Sequence, residues 1–509
     1  MPYLVTIGLE VHCQVKTNTK MFCACRTSFG DTPNTHTCPV CLGLPGALPV
    51  LNRQAIEKTL LAGLMIDCTS PETSKWDRKN YFYPDMPKNY QTTQMDLPLC
   101  IGGGVPLYDH CYPTDHRKNI AKPGKVVRLN RIHLEEDVAK STHLGNSSLI
   151  DFNRAGTPLM EIVSEPDIES AEEAFAYLRS LQMILQQGDV SDADMEKGQL
   201  RCDVNISLRV NAADPLGPKV ELKNLNSISA IRRAIHFEIH RQGGDLDRGI
   251  HQIQSTRRWD DDRGETQLMR TKEDAHDYRY FSCPDLLPIQ TAPLLEKVRP
   301  LVPELPHELA ARFENNFGVT AYDASVLSSD RHLAAYFEAT LDPAIPGKKV
   351  ANFIINNLLG KINEQGIGID DCPVAPENLR ALLLLVEDGT LASNQANEVF
   401  AVLYQTPHRA PAEIADSLGF KKAEAGELEA LVEQAIANNP AEVEAIRAGN
   451  EKLLNFLTGQ VMKLAATKPN PKQVTELLLR PSMPMDRHSY PSHEIQRRSQ
   501  TAATVQIQS

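Results

Sequence analysis

This sequence predicts an α+β protein, with strands and helices mixed in its first half and helices alone in its second. Three observations predict it. Short strand-like runs separated by Gly, Pro, Asn and Asp fill the first half. A Pro-rich passage over residues 284–306 closes that half, and beyond it apolar residues recur at three- and four-residue spacing. The irregular interleaving of strands and helices argues against a strict βαβ alternation.

The elements follow in order. Residues 5–12, 126–129 and 202–208 read as strands from their alternation. Gly102-Gly103-Gly104 reads as a hairpin turn rather than a nucleotide cradle. Ser170-Ala171-Glu172-Glu173 is a capping box, after which Ala174, Leu178, Leu181 and Leu185 mark one helical face until Gly188. A second helix is expected over 227–242, ended by Gly243-Gly244. In the second half, 375–386, 392–404, 427–437 and 452–466 carry helical periodicity, with Asn439-Pro440 and Pro469-Asn470-Pro471 in the last loops. The polar Ser/Gln/Thr-rich stretch beyond residue 485 lacks periodicity and reads as a disordered tail.

Composition bounds the function. The chain has 509 residues, 41% hydrophobic and 23% charged, with a formal net charge of −12. That excludes a surface coated in basic charge, though not a local basic patch facing phosphates. The apolar run 381–386 is far too short to span a bilayer, and Met1-Pro2-Tyr3-Leu4 begins neither a signal nor a transit peptide. Eleven cysteines without a secretion signal point to free thiols in a reducing, cytoplasmic setting.

Several clusters carry chemistry. Glu10, His12 and Gln14 share one strand face, and Leu9, Val11 and Cys13 the other. A carboxylate beside an imidazole suits a divalent ion, although such a pair alone is more often a solvated strand face. Two more groups raise the metal reading: Arg131-Ile132-His133-Leu134-Glu135-Glu136-Asp137, and Arg201, Asp203 and Asn205 on one face. Carboxylates holding Mg²⁺ against phosphates, with Arg or Lys beside them, are the equipment of phosphoryl transfer. Charged edge strands would look similar.

Phe22-Cys23-Ala24-Cys25 and Cys38-Pro39-Val40-Cys41 form a CxC and a CxxC with twelve residues between them. Four thiolates so spaced suit a closed, structural zinc site; a redox pair or a chance grouping are the rivals. No GxxxxGK[ST] phosphate loop, GxSxG elbow or Gly/Ser-rich nucleophile segment occurs. ATP use therefore needs a different phosphate-binding fold, and amide hydrolysis another chain. Ser74-Lys75-Trp76-Asp77-Arg78-Lys79-Asn80-Tyr81-Phe82-Tyr83-Pro84-Asp85 mixes basic and aromatic residues, which suits base stacking and phosphate pairing or, equally, a core-packed loop.

These motifs together resemble the B subunits of glutamyl/aspartyl-tRNA amidotransferases. The resemblance runs through Ile7-Gly8-Leu9-Glu10-Val11-His12, residues 77–85 and 133–137, Asn153-Arg154-Ala155-Gly156-Thr157-Pro158-Leu159, Val163-Ser164-Glu165-Pro166-Asp167, Leu200-Arg201-Cys202-Asp203, Leu222-Lys223-Asn224-Leu225-Asn226-Ser227 and Asp277-Tyr278-Arg279-Tyr280-Phe281. It implies an N-terminal cradle domain related to the glutamine synthetase and guanidino kinase fold over 1–294, and a linker over 295–330. A helical domain over 331–405, a YqeY-like tRNA-binding tail over 406–480 and an extension over 481–509 would follow.

The implied activity is ATP-dependent phosphorylation of the side-chain carboxylate of Glu-tRNA(Gln) or Asp-tRNA(Asn), then amidation. The ammonia would come from glutamine hydrolysed in a separate amidase, the A subunit, with a small C subunit making up a heterotrimer. The resemblance assigns Glu10, His12, Glu136 and Asp203 to Mg²⁺, and Lys79 and Arg201 to phosphate. Strand alternation would instead group Glu135 with His133 and Asp137; the family pattern selects Glu136. Cys23, Cys25, Cys38 and Cys41 would hold the structural zinc. A tRNA-binding scaffold without catalysis would have lost a ligand, and all four are present. An archaeal-type relative would carry a large inserted domain that this chain lacks. In the tail, Phe456-Leu457-Thr458-Gly459-Gln460-Val461-Met462-Lys463 and Pro469-Asn470-Pro471 follow the pattern, whereas Gly449-Asn450 and Thr467-Lys468-Pro469 depart from it.

Overall fold

Strict alternation gives the strand Leu4–Gln14 (β1) two unlike faces, with Ile7, Leu9, Val11 and Cys13 buried on one of them. A strand of this kind needs partners on both edges and a cover on its apolar side, and the fold supplies both. The partners are Cys100–Ile101 (β2), Gly104–Pro106 (β3), Val126–Glu136 (β4), Pro158–Ser164 (β5), Leu200–Arg209 (β6), Val220–Lys223 (β7), Ser255–Asp260 (β8) and Glu265–Thr271 (β9). They form a nine-stranded sheet ordered β9-β8-β7-β6-β1-β5-β4-β2, with β3 also on β4. Only the β7–β8 pairing is parallel. The architecture is thus the expected mixture of strands and helices, without βαβ alternation.

The computed structural model describes residues 3–271, 278–420, 425–447, 450, 452–465 and 469–479. The chain divides into two units, residues 1–316 with 324–331, and residues 317–323 with 332–509.

In the first unit the cover consists of helices Arg53–Met65 (α1), Ala171–Gln187 (α2) and Ile228–Asp247 (α3), whose buried residues join the sheet's apolar face in one core. The α2 start matches expectation: Ser170 Oγ accepts from Glu173 N at 3.1 Å, and Gly188 is the C-cap. The reciprocal half of the box is diverted, since the Glu173 carboxylate accepts from Glu169 N at 2.8 Å and pairs with Lys125 at 2.7 Å.

Two expectations need correction. Gly243-Gly244 does not end α3, which continues to Asp247. A Cβ on Gly243 would lie 3.3 Å from the Tyr3 ring, and the Tyr3 hydroxyl donates to Asp247 at 2.6 Å, so the glycine serves close packing. Gly102-Gly103-Gly104 is not a hairpin turn. Both β2 and β3 pair with β4, so the glycines make a jog within one edge of the sheet. Gly103 has φ +78°, and a Cβ there would fall 2.3 Å from the Ile66 carbonyl oxygen. Gly103→Ala is therefore expected to cost about 1–3 kcal/mol, read as a lowered Tm with the fold retained.

The second unit is helical, and among the described residues no strand follows Ile289–Gln290. The expected helices appear as Pro376–Glu387, Ser393–Gln405, Ala425–Asn438 and Lys452–Leu464. Leu428, Val432, Leu457, Val461, Val474 and Leu478 form a separate core near its end. The expected extension at 481–509 lies outside the described residues, as do Gly449, Thr467, Lys468 and Asp277. No described helix is long and apolar enough to cross a membrane.

Candidate active site

Antiparallel register turns sequence spacing into side-chain neighbours, because directly opposed residues project from the same face. Arg201, His12, Glu161 and His133 lie opposite one another across β6, β1, β5 and β4. One pleat away the row reads Asp203, Glu10, Val163 and Arg131. On the other side Gln14 and Glu135 flank Leu159. All these residues occupy the face opposite the helices.

At the centre, His12 Nε2 lies 3.4 Å from a Glu161 oxygen and 3.9 Å from Glu135. His133 Nε2 lies 3.2 Å from Glu161 and 3.7 Å from Glu135. One ligand atom from each of His12, Glu135 and Glu161 falls within 4.8 Å of the others, close enough to hold one metal ion. Burial alone would raise the Glu161 carboxyl, but the imidazoles of His12 and His133 hold it well below the usual carboxylate range. Burial pulls the His12 imidazole down, and Glu161, Glu135 and Asp203 together outweigh it and raise the pKa.

The expected ligand Glu136 does not join this group. It projects from the opposite face of β4, 3% exposed, where it pairs with Lys88 and accepts from Thr92 N at 3.0 Å. A one-residue step reverses the face; adjacent residues in a motif cannot both look into the site. Glu161 was missed by sequence reasoning. Its signal was a lone carboxylate among the apolar residues Leu159, Met160, Ile162 and Val163.

Glu10 and Asp203 are brought opposite each other, one row from the triad. Glu10 accepts from Asn205 Nδ2 at 2.8 Å, and Asp203 pairs with Lys223, whose ammonium also lies 3.1 Å from Glu221. Arg201 is aimed by Asp137, a carboxylate only 1% exposed that holds the guanidinium at 2.8 Å and accepts from Gln14 Nε2 at 2.9 Å. Arg201 Nε has no hydrogen-bond partner among the described residues.

Lys79 stands on the short strand Asp77–Asn80, with its ammonium 4.8 Å from the Tyr278 ring centre. Burial would lower its pKa, yet the charges of Glu135, Tyr280, Tyr278 and Glu161 outweigh it and raise it. The surrounding basic-aromatic stretch is divided. Trp76 and Asp77 are buried, while Phe82 is 71% exposed and Tyr81 stacks on Tyr83 with ring centres 4.6 Å apart.

A second centre lies in the loop after β1. The sulfurs of Cys23, Cys25, Cys38 and Cys41 lie within 4.8 Å of one another, and all four are free thiols. Such a set could hold a metal ion and, with four protein ligands, would leave it no open position. A hydrogen bond from Cys23, together with Cys38 N–H and the Lys20 ammonium, pushes the Cys41 thiol down to about 4 against the effect of burial.

Fold and site together define a class: an α+β chain in which carboxylates and an imidazole form a cation-sized group beside an arginine on one sheet face. Residues 5–295 match the GatB/GatE catalytic domain family, and residues 335–481 the GatB domain family. The B subunit of the aspartyl/glutamyl-tRNA(Asn/Gln) amidotransferase of Persephonella marina is 47% identical over 481 residues, 94% of this chain and 99% of that protein. Its counterpart in Methylacidiphilum infernorum is 49% identical over 94% of this chain and 98% of its own length. That of Thermoanaerobacter pseudethanolicus is 45% identical over 94% and 99%. The chain belongs to the B-subunit family of the aspartyl/glutamyl-tRNA(Asn/Gln) amidotransferases.

Proposed function

We propose that this chain supplies the kinase and transamidase activities of a glutamine-hydrolysing, tRNA-dependent amidotransferase. Its first unit is read as a cradle related to the glutamine synthetase and guanidino kinase fold, over 1–294 with a linker over 295–330. A helical domain at 331–405 leads to a YqeY-like tail at 406–480 that carries the tRNA contacts. Its partners are an amidase, the A subunit of the enzyme, and a small C subunit, in a cytoplasmic heterotrimer.

The substrate is the side-chain carboxylate of glutamate on tRNA(Gln), of aspartate on tRNA(Asn), or of both. A carboxylate is a poor electrophile until one oxygen becomes a leaving group. Its oxygen attacks the terminal phosphorus of ATP, ADP departs, and an acyl phosphate results. Ammonia then attacks the carbonyl carbon and inorganic phosphate leaves, giving the amide. The ammonia derives from glutamine hydrolysed by the amidase partner.

The observation that carries this reading is the convergence of His12, Glu135 and Glu161 within 4.8 Å, with Arg201 on the same sheet face and Lys79 set against the carboxylates. The donor set fits Mg²⁺, which when bound offsets charge on the transferring phosphoryl group. Glu10 and Asp203 extend the anionic face by one row, and Lys223 balances Asp203. Arg201 and Lys79 bind phosphate oxygens, and the exposed Phe82 and Tyr83 offer rings on which bases can stack. The four cysteines suit a structural Zn²⁺ that shapes their loop.

The test is reconstitution of the whole enzyme with ATP, Mg²⁺, glutamine and each misacylated tRNA. ADP should form only with misacylated tRNA and match the amide produced. Glutamine hydrolysis without tRNA-dependent ADP would overturn the kinase assignment.

A further inference from the structure

Lys20 has 0% exposure. Its ammonium reaches three acceptors: the His36 carbonyl at 2.8 Å, the Phe152 carbonyl at 3.0 Å and Cys41 Sγ at 3.5 Å. Among the described residues no carboxylate pairs with it. A buried ammonium is strongly unfavourable unless an anion balances it. The anion in reach is the thiolate group, since four thiolates around a divalent ion leave a net charge of about −2.

The same residue sits where the cysteine loop meets the sheet. Met21 N donates to the Gly156 carbonyl at 2.7 Å, Gly156 N donates to the Asp137 carbonyl at 2.9 Å, and Asp137 N donates to the Thr157 carbonyl at 2.8 Å. Gly156 has φ +87°, and a Cβ there would lie 3.4 Å from Lys20 Cδ and 3.6 Å from Cys41 Cβ. On the other side, a Cβ on Gly43 would fall 2.9 Å from Lys88 Cα, the residue that pairs with Glu136. The four-cysteine centre therefore rests against the end of β4 through two separate contacts, and Asp137 at that end aims Arg201.

We propose that Lys20 is the positioning residue that couples the loaded four-cysteine site to the catalytic sheet. Its ammonium balances the thiolates and pins Cys41 to the 152–157 turn, so that metal held by the cysteines keeps Asp137, and through it Arg201, in place. The proposal rests on the reading of the four cysteines as a metal site.

The experiment uses the assembled complex with wild-type chain, Lys20→Met and Lys20→Arg. It measures zinc per chain, zinc release to a chromophoric chelator under native conditions, and amide hydrogen exchange in peptides spanning 133–158. Wild type should hold about one zinc per chain, one per four-thiolate set. Lys20→Met should release it about tenfold faster or more, the usual effect of removing a group that supports a metal ligand. Lys20→Arg keeps the charge and should release zinc close to the wild-type rate. Stripping zinc from wild type should speed exchange in 133–158, a coupling that remains measurable even where Lys20→Met does not accumulate.

A wild-type release rate in Lys20→Met overturns the proposal. So does release from Lys20→Arg as fast as from Lys20→Met, or exchange unchanged by stripping. A wild-type chain purified under reducing conditions without zinc overturns the metal reading itself, and the proposal with it.

Discussion

Glu135→Gln and Glu161→Gln are expected to lower ATP- and tRNA-dependent amide formation by on the order of 10²–10³-fold or more, the scale seen when a group that stabilises developing charge is removed. Glutamine hydrolysis in the amidase partner should continue, and Mn²⁺ affinity, measured as a surrogate for Mg²⁺, should fall. Glutamine preserves size, so residue 135 can still accept from Thr93 Oγ1, which lies 3.1 Å from the Glu135 carboxylate, while losing only the charge. Glu136→Ala should behave differently. It strands the Lys88 ammonium against the rings of Phe22 and Tyr90, 5.3 and 5.0 Å away. Breaking a buried pair of this kind costs about 3–5 kcal/mol, so Tm falls while cation affinity persists in the folded fraction. Cation loss in Glu136→Ala beside full activity in Glu135→Gln would reverse the assignment.

Glu10→Gln and Asp203→Asn belong to the same series, and full amidation by either would remove its row from the site. The pH dependence has a defined sign. A cation needs the neutral imidazole, and Glu161, Glu135 and Asp203 raise the His12 pKa, so cation affinity should increase with pH.

What could be read from the sequence was what is local. Ser170 and Gly188 bound α2 because a cap and its stop lie within reach of the same helix. The two sides of β1 followed from alternation alone, and the cysteines converge as their spacing suggested. Glu135 was legible by the same alternation, whereas the adjacent Glu136 was drawn in by its motif, which carries no information about face. Register is non-local: nothing near Glu10 says that Asp203 lies opposite, or that Glu161 will stand beside His12. Gly243 misled because a glycine kept for close packing against Tyr3 looks, in sequence, like one kept for a helix stop.

Asp137→Asn is expected to show how far the site depends on a residue outside the cation group. Burial alone would raise this carboxyl; Arg201, Arg154 and Gln14 hold it below the usual range. A depressed folded-state pKa stabilises the protein above the unfolded carboxylate value of about 3.9, and that contribution is lost as pH falls through it toward the folded value. The asparagine variant leaves two guanidinium groups facing a neutral amide. The cost should be about 3 kcal/mol, at the low end for a broken buried pair because Arg201 is 37% exposed and partly screened by solvent. Its Tm should therefore fall near pH 7, and its further loss of stability between about pH 5 and pH 3 should be shallower than in wild type. Arg201 loses its aim at the same time, so amide formation should drop even at temperatures where the variant is fully folded, with cation affinity at His12, Glu135 and Glu161 retained. Equal melting temperatures and equal acid slopes in the two proteins would mean that Asp137 is not the anchor of Arg201. A variant that is folded but cannot bind the cation would instead make Asp137 part of the metal site itself.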